Sequence, residues 1–308
     1  MSLLRKIVGC CVAAGCAVGT VSCSSDSDSG IPEYITIDAS ISGGGAQTRA
    51  TTTGLRMTFD PGDRLTVYAW SSRTNLTVSA ADAVTKGEVV VDGAVNTLGQ
   101  DGRWTSSPQM LWADMTSRHY FLGIYPERRV TDFMADPYRL SGDYEADDLL
   151  AGTNLQGLTP TGDPVGIVFD HLMAKLVVNM NFRDQWGGTP DDVSVECLAA
   201  DACTVDYTRL ACTPGGQTTV SLAATEPSQG FSKTAMGIMV PQEGFNTITV
   251  VVGGRRFTYV HPEDIPLQQG NITTVNFVVG RDSLELRVVT INGWESEVVL
   301  DAEAELQN

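Results

Sequence analysis

Histidine is scarce, with His119, His171 and His261 the only three in 308 residues. None stands at metal-ligand spacing from another His, Cys or carboxylate, so the pattern gives no metal site. Asp170 could orient His171, but no nucleophile motif accompanies the pair, and a structural imidazole is the expectation. Seven cysteines occur, four of them (Cys10, Cys11, Cys16, Cys23) within the first 23 residues. Cys197, Cys203 and Cys212 remain, with no C-x-x-C, which argues against a zinc ribbon and a thioredoxin-type motif. Cys203 and Cys212 flank a plausible hairpin (CTVDYTRLAC) that an oxidising compartment could bridge; three free thiols are the alternative. Positive charge is also sparse: 20 Lys and Arg face 37 Asp and Glu, for a net charge of −17. The acidity belongs to the body of the chain, and without a basic stripe to neutralise phosphates, nucleic acid is not an expected partner. A P-loop and a G-x-G-x-x-G opening a helix are both missing, and Gly43–Gly45 reads as linker. Asp147 and Asp148 are adjacent, so their side chains should diverge into capping or surface roles. No catalytic site, metal or cofactor is expected, and the chain is not read as an enzyme.

Long apolar runs are missing except at the start. Arg5-Lys6 precede Ile7–Ser22, a stretch rich in small and apolar residues and too short to span a membrane and stay there, which reads as a secretion signal over residues 1–22. Cys23 follows Val21-Ser22 and opens the polar spacer SSDSDSG, the form of a lipoprotein processing site. Thr20 stands where an apolar residue is preferred, and Cys16 is a rival acceptor. Several acyl chains would make a durable outer-membrane anchor, since one holds only marginally. Next, Tyr34–Ile41 (YITIDASI) alternates like a β-strand, with Tyr34, Ile35, Ile37 and Ile41 its marked apolar positions. Residues 42–50 form a Gly/Ser/Thr segment whose one basic residue is Arg49, followed by Ala50. An anchor, a spacer, a strand and a loop open to a trypsin-like protease suggest a tethered precursor, residues 23–49, whose first strand can be released.

Helical periodicity is rare elsewhere and alternation is common. Short β-branched or aromatic runs, among them 64–70, 119–125, 175–182, 247–252 and 272–279, are separated by turn signals such as PGD, DG, TPGG and GG. Strands are also expected at 55–59, 75–79 and 109–112, and helical turns at 80–84 and 144–150. Many short strands at this spacing indicate an all-β fold of tandem sandwiches rather than a parallel sheet with crossover helices. The turn cluster TPTGDP (159–164) divides the chain into halves of ordinary domain size, 50–165 and 166–308. The five tryptophans, Trp70, Trp104, Trp112, Trp186 and Trp294, are spread over separate strands, a core pattern more than a sugar platform.

The order of these landmarks resembles the fimbrillin family, lipoprotein precursors of surface fimbriae in Gram-negative anaerobes. Cys23, a strand and QTRA (47–50) are followed by FDPGDRLTVYAW (59–70), RWTSSPQMLWAD (103–114) and HYFLGIYP (119–126). ADDLLAGT (146–153), VFDHLMAKLVV (168–178), MGIMVPQ (236–242), GNITTVNFVV (270–279) and ING-Trp294 complete the set. The resemblance implies two tandem transthyretin-like β-sandwich domains and assembly by protease-assisted strand exchange. In that scheme Cys23 carries the lipid, Arg49 precedes the scissile bond to Ala50, and Tyr34–Ile41 leaves. A neighbouring subunit's strand then fills the vacated groove. A donor could come from VVLDAEAEL (298–306), where Val298, Leu300, Ala302, Ala304 and Leu306 are in phase; a frayed acidic tail is the alternative. Implied partners are other fimbrial subunits, a trypsin-like protease, the outer membrane through the lipid, and a host or bacterial surface ligand. The alternative function is a lipid-anchored glycan- or protein-binding module with a permanent first strand.

Overall fold

The computed structural model describes residues 34–42, 58–76 and 79–293. Among these, strands dominate. The first half holds β1 (Ile37–Ile41), β2 (Arg64–Ser72), β3 (Glu88–Leu98), β4 (Trp104–Ser107), β5 (Arg118–Tyr125), β6 (Asp136–Arg139), β7 (Leu150–Leu158) and β8 (Val165–His171). The second holds β9 (Ala174–Phe182), β10 (Val193–Ala200), β11 (Ala202–Asp206), β12 (Ala211–Pro214), β13 (Gln217–Thr225), β14 (Lys233–Met239), β15 (Thr247–Val252), β16 (Arg255–Val260), β17 (Asn271–Val279) and β18 (Leu284–Gly293). One short helix, α1 (Ala80–Lys86), starts where Ser79 Oγ accepts the Asp82 amide at 3.1 Å, the usual capping of an otherwise orphaned donor.

A seven-stranded sheet runs β1-β8-β7-β5-β2-β3-β4, and an eight-stranded sheet runs β16-β15-β10-β13-β14-β9-β17-β18. The fold is therefore all-β with two curled sheets, and each has its own apolar core. Leu65, Val67, Phe121 and Phe169 centre the first core, and Leu176, Val178, Val250 and Phe277 the second. Pairing is antiparallel except where β1 meets β8 and β17 meets β9. The chain changes sheets at Leu172-Met173, so β8 belongs with the first sheet and the expected division at 165/166 falls at the start of that strand.

A third, three-stranded sheet, β12-β11-β6, joins strands of the two halves. Beneath it a third apolar cluster mixes Tyr68, Trp70 and Leu122 with Val205, Tyr207 and Val240. The halves therefore share hydrogen bonds and core, which a linker between independent domains would not supply.

Several local expectations are overturned. Residues 109–112 form no strand; only Leu111 makes an isolated bridge, to Tyr34. Of the expected strand at 75–79, residues 75, 76 and 79 are irregular, and 55–57 lie outside the described residues. The expected helical turns at 144–150 are turns that run into β7. Asp147 and Asp148 are both buried, so the surface branch of their expectation fails, while Asp147 fills the capping one. Asp147 accepts the amides of Ser141 (2.7 Å) and Gly142 (2.8 Å), and Asp148 Oδ1 meets His171 Nδ1 at 2.7 Å. The Asp147 partners lie just upstream in the turn it caps, whereas His171 comes from the end of β8, which an argument from adjacency could not see.

Candidate functional site

The strand β1 lies at the edge of the first sheet and pairs with a single neighbour. Its register against β8 runs from Ile37 opposite Val165 to Ile41 opposite Phe169. Val165 N–H donates to Thr36 O and Ser42 N–H to Phe169 O, each at 2.8 Å, while Ile35 N–H donates to Met110 O at 2.9 Å. The sequence alternation explains the seating. Ile35, Ile37 and Ile41 are 2%, 4% and 4% exposed and belong to the first core, with Ala39 packed beside them. Thr36, Asp38 and Ser40 face solvent. A full burial of this kind contributes about 2 kcal/mol per isoleucine. Tyr34 departs from the other marked positions: it is 47% exposed and bridges Leu111, itself 46% exposed.

The slot that receives β1 is shaped from the neighbouring strands. In the register β5–β7–β8, Gly123 lies opposite Gly152 and Gly152 opposite Phe169. A Cβ on Gly123 would sit 2.4 Å from the Phe169 ring, and one on Gly152 would sit 2.1 Å from Val168 O. The two glycines let β8 approach and let the Phe169 ring cross under β5. Phe59 makes edge-on contacts with Trp104, Tyr125 and Phe169 at ring separations of 5.3–5.4 Å, closing this core beyond the strand.

Cys23, Arg49 and Ala50, and Val298, Leu300, Ala302, Ala304 and Leu306, lie outside the described residues. Of the tryptophans, Trp70, Trp104 and Trp112 are buried. Trp186 is half-buried, its indole N–H donating to Val279 O at 3.1 Å and its ring packed against Phe182 and Phe257; Trp294 is not described. The four described rings are packed into the protein rather than presented as a platform. His119 is fully buried: Nε2 accepts the Ala113 amide at 3.1 Å, which leaves Nδ1–H to donate to Leu158 O at 3.3 Å. Burial holds its pKa below the ordinary value of 6.5. Among the described residues no group of three or more His, Cys, Asp or Glu is placed to hold a metal ion.

The sequence reasoning missed the polar clip under the three-stranded sheet. Arg128 Nη2 pairs with Asp136 Oδ2 at 2.7 Å, and Tyr207 O–H donates to the same oxygen at 3.1 Å. The Arg128 guanidinium also lies 5.0 Å from the centre of the Tyr138 ring. Burial pushes the Asp136 carboxyl up despite the arginine beside it. Arg128, Asp136 and Tyr138 come from the first half and Tyr207 from the second, so no local pattern announces the cluster.

A family model described as fimbrillin-like matches residues 48–294. The chain belongs to the fimbrillin-like family. This is a family of fimbrial structural proteins rather than of enzymes, and membership places the chain among subunits of cell-surface fimbriae. Among solved structures, a candidate cell adhesion protein of Bacteroides ovatus ATCC 8483 is similar with a TM-score of 0.62 at 17% identity, over 86% of this chain and 99% of that one. A second, from Bacteroides uniformis ATCC 8492, has a TM-score of 0.56 at 16% identity, over 85% and 99%. A fimbrial protein from Bacteroides vulgatus ATCC 8482 follows at 0.51 and 12%, over 85% and 99%. At such identities the likeness is one of fold. Comparison with curated protein sequences gave no match.

Proposed function

We propose that this fimbrillin-like chain is exported as a lipoprotein precursor acylated at Cys23 and assembled into fimbriae by strand exchange. A trypsin-like protease of the cell surface cuts after Arg49, β1 leaves, and a strand from the next subunit takes its place against β8. In this reading the first sandwich extends through β8, and residues 298–306 serve as the outgoing donor. Adhesion to a host or bacterial surface follows from display on the fimbria.

The observation that carries the reading is the seating of β1. It holds one neighbour by a parallel ladder and anchors three isoleucines in a core built otherwise from residues beyond it. Its departure would leave unpaired N–H and C=O groups on β8 beside an apolar slot, and an incoming strand satisfies both. The buried tryptophans disfavour the glycan-binding alternative.

Limited trypsin digestion of a soluble form, residues 24–308, tests the proposal by intact mass and size-exclusion. Early cleavage at Arg49 followed by SDS-resistant oligomers is the expected result. Resistance at Arg49 while other loops are nicked would refute release of the strand.

A further inference from the structure

Two cysteines lie together on the hairpin that ties the halves of the molecule. Cys203 is on β11 and Cys212 on β12, with Cys203 opposite Pro214 and Val205 opposite Cys212. Gly215 N–H donates to Ala202 O at 2.8 Å, and Pro214 has no N–H to give. Both cysteines therefore occupy non-hydrogen-bonded positions, where facing side chains approach most closely. They share one face of the hairpin as diagonal neighbours. Strand twist draws one diagonal of such a square together, and the two thiols are near enough to shift each other's titration. Cys203 is buried, and Cys212 is half-buried with its thiol donating to Leu172 O at 3.6 Å.

We propose that Cys203 and Cys212 are a modification site: on the cell surface they form a disulfide that locks the β11–β12 hairpin against β6. The proposal rests on the cell-surface location of the family, since disulfides persist in oxidising compartments. As the S–S bond forms, the two thiols give up two protons and two electrons. The acceptor is a disulfide of the thiol–disulfide oxidoreductase or glutathione class, which leaves as two thiols. It first joins one of the two sulfurs, releasing one thiol, and the other cysteine then attacks that sulfur and expels the second thiol. The Cys212 thiol and the nearby Arg128 guanidinium hold the Cys203 pKa below the ordinary thiol value, while Cys203 pushes that of Cys212 up, so Cys203 is the readier thiolate.

Cys197 takes no part. It is buried in the second core on β10, and burial pushes its pKa up to about 12. The bridge would close a loop of about ten residues and so remove entropy from the unfolded chain. Because β11 also pairs with β6, a fixed hairpin resists peeling of one half from the other, as a load along a filament would demand.

The test uses the folded soluble chain, residues 24–308, incubated with oxidised glutathione, then denatured, alkylated and digested without reductant. One alkyl group per chain, at Cys197, and a single cross-linked species holding Cys203 and Cys212 are expected. Reductant should restore three alkylations and lower the wild-type thermal midpoint by about 5 °C. It should leave the midpoint of a Cys203→Ser/Cys212→Ser variant unchanged. Persistence of both thiols, or a stable glutathione adduct on Cys212 with no bridge, would overturn the proposal. The oxidation is done in solution, so that failure is separable from any failure of export, cleavage or polymerisation. The same map on protein from the cell surface should find the bridge already formed, and two free thiols there would refute it as a native modification.

Discussion

Two of the four edge strands of the large sheets, β1 and β18, are held by different means. β1 spans five residues, and within and just before it three isoleucines reach the first core. β18 spans ten residues and pairs with β17 along its length; none of its side chains is fully buried, though Leu284, Leu286 and Val289 pack partly against the second core. The first is held by a few deep side-chain pegs, the second by a long main-chain ladder. Loss of β1 would open a deep apolar slot, whereas loss of β18 would expose a longer row of backbone groups and a shallower apolar margin. A strand meant to be exchanged gains from the first arrangement, because its replacement has pockets to read as well as hydrogen bonds to complete.

Charge placed on each edge is the strongest way to break this comparison. Ile37→Asp should cost on the order of 4 kcal/mol in denaturant unfolding of the uncut chain, since it buries an unpaired carboxylate. Val288→Asp on β18, where the valine is 46% exposed, should stay within about 0.5 kcal/mol. Equal losses would mean that the edges are held alike.

The slot itself can be probed through its glycines. Gly152→Ala forces a Cβ against the Val168 carbonyl oxygen, a backbone atom that cannot swing away, and should cost about 2–4 kcal/mol. Gly166→Ala, on the adjoining β8 with nothing within 4 Å, should be neutral or slightly stabilising. A thermal melt of both variants separates close strand approach from a general dislike of side chains in this sheet.

A smaller effect is expected at His119, in the first half. Its pKa is depressed by burial, so the unfolded chain takes up its proton first as the pH falls. Stability should therefore be full above the ordinary value of 6.5 and decline as the pH drops toward the lower folded value. Denaturant midpoints measured across that window should show the slope in the wild type and a flatter line in His119→Gln. The smallest effect is expected at the second edge, where Arg183 pairs with Glu285 of β18 at 2.7 Å, both side chains 43% exposed. Arg183→Ala should change stability by about 0.5 kcal/mol, and less in high salt.

The strands that could be read directly are those whose alternation is dense, such as Thr247–Val252 and Arg64–Ser72. The missed ones carry weak local signals. β7 (LAGTNLQGL) is broken by Gly152, which admits the backbone of β8, and by Gly157, which takes a positive φ beside Arg118 and Tyr120. β6 (DPYR) has one aromatic and a proline, and it is a strand because β11 lies beside it. Ile35, Ile37 and Ile41 could be chosen in advance because an alternating strand has one inward face. Tyr34 could not be excluded, because its exposure depends on where the chain enters the slot and on Leu111 across from it. Asp147 caps backbone amides as one branch of the expectation had it, whereas the buried place of Asp148 depends on His171, supplied by β8.

The sequence by itself determined that the chain is made of strands, which faces of them are apolar, and where an apolar N-terminal run and the basic residue Arg49 lie in the chain. Those properties depend on neighbours two residues away. Only the tertiary structure decided that β1 runs parallel to β8, that β6 crosses to the other half, and that Arg128, Asp136 and Tyr207 meet. Each of those depends on register between segments far apart in the chain, which is fixed by packing over the whole sheet.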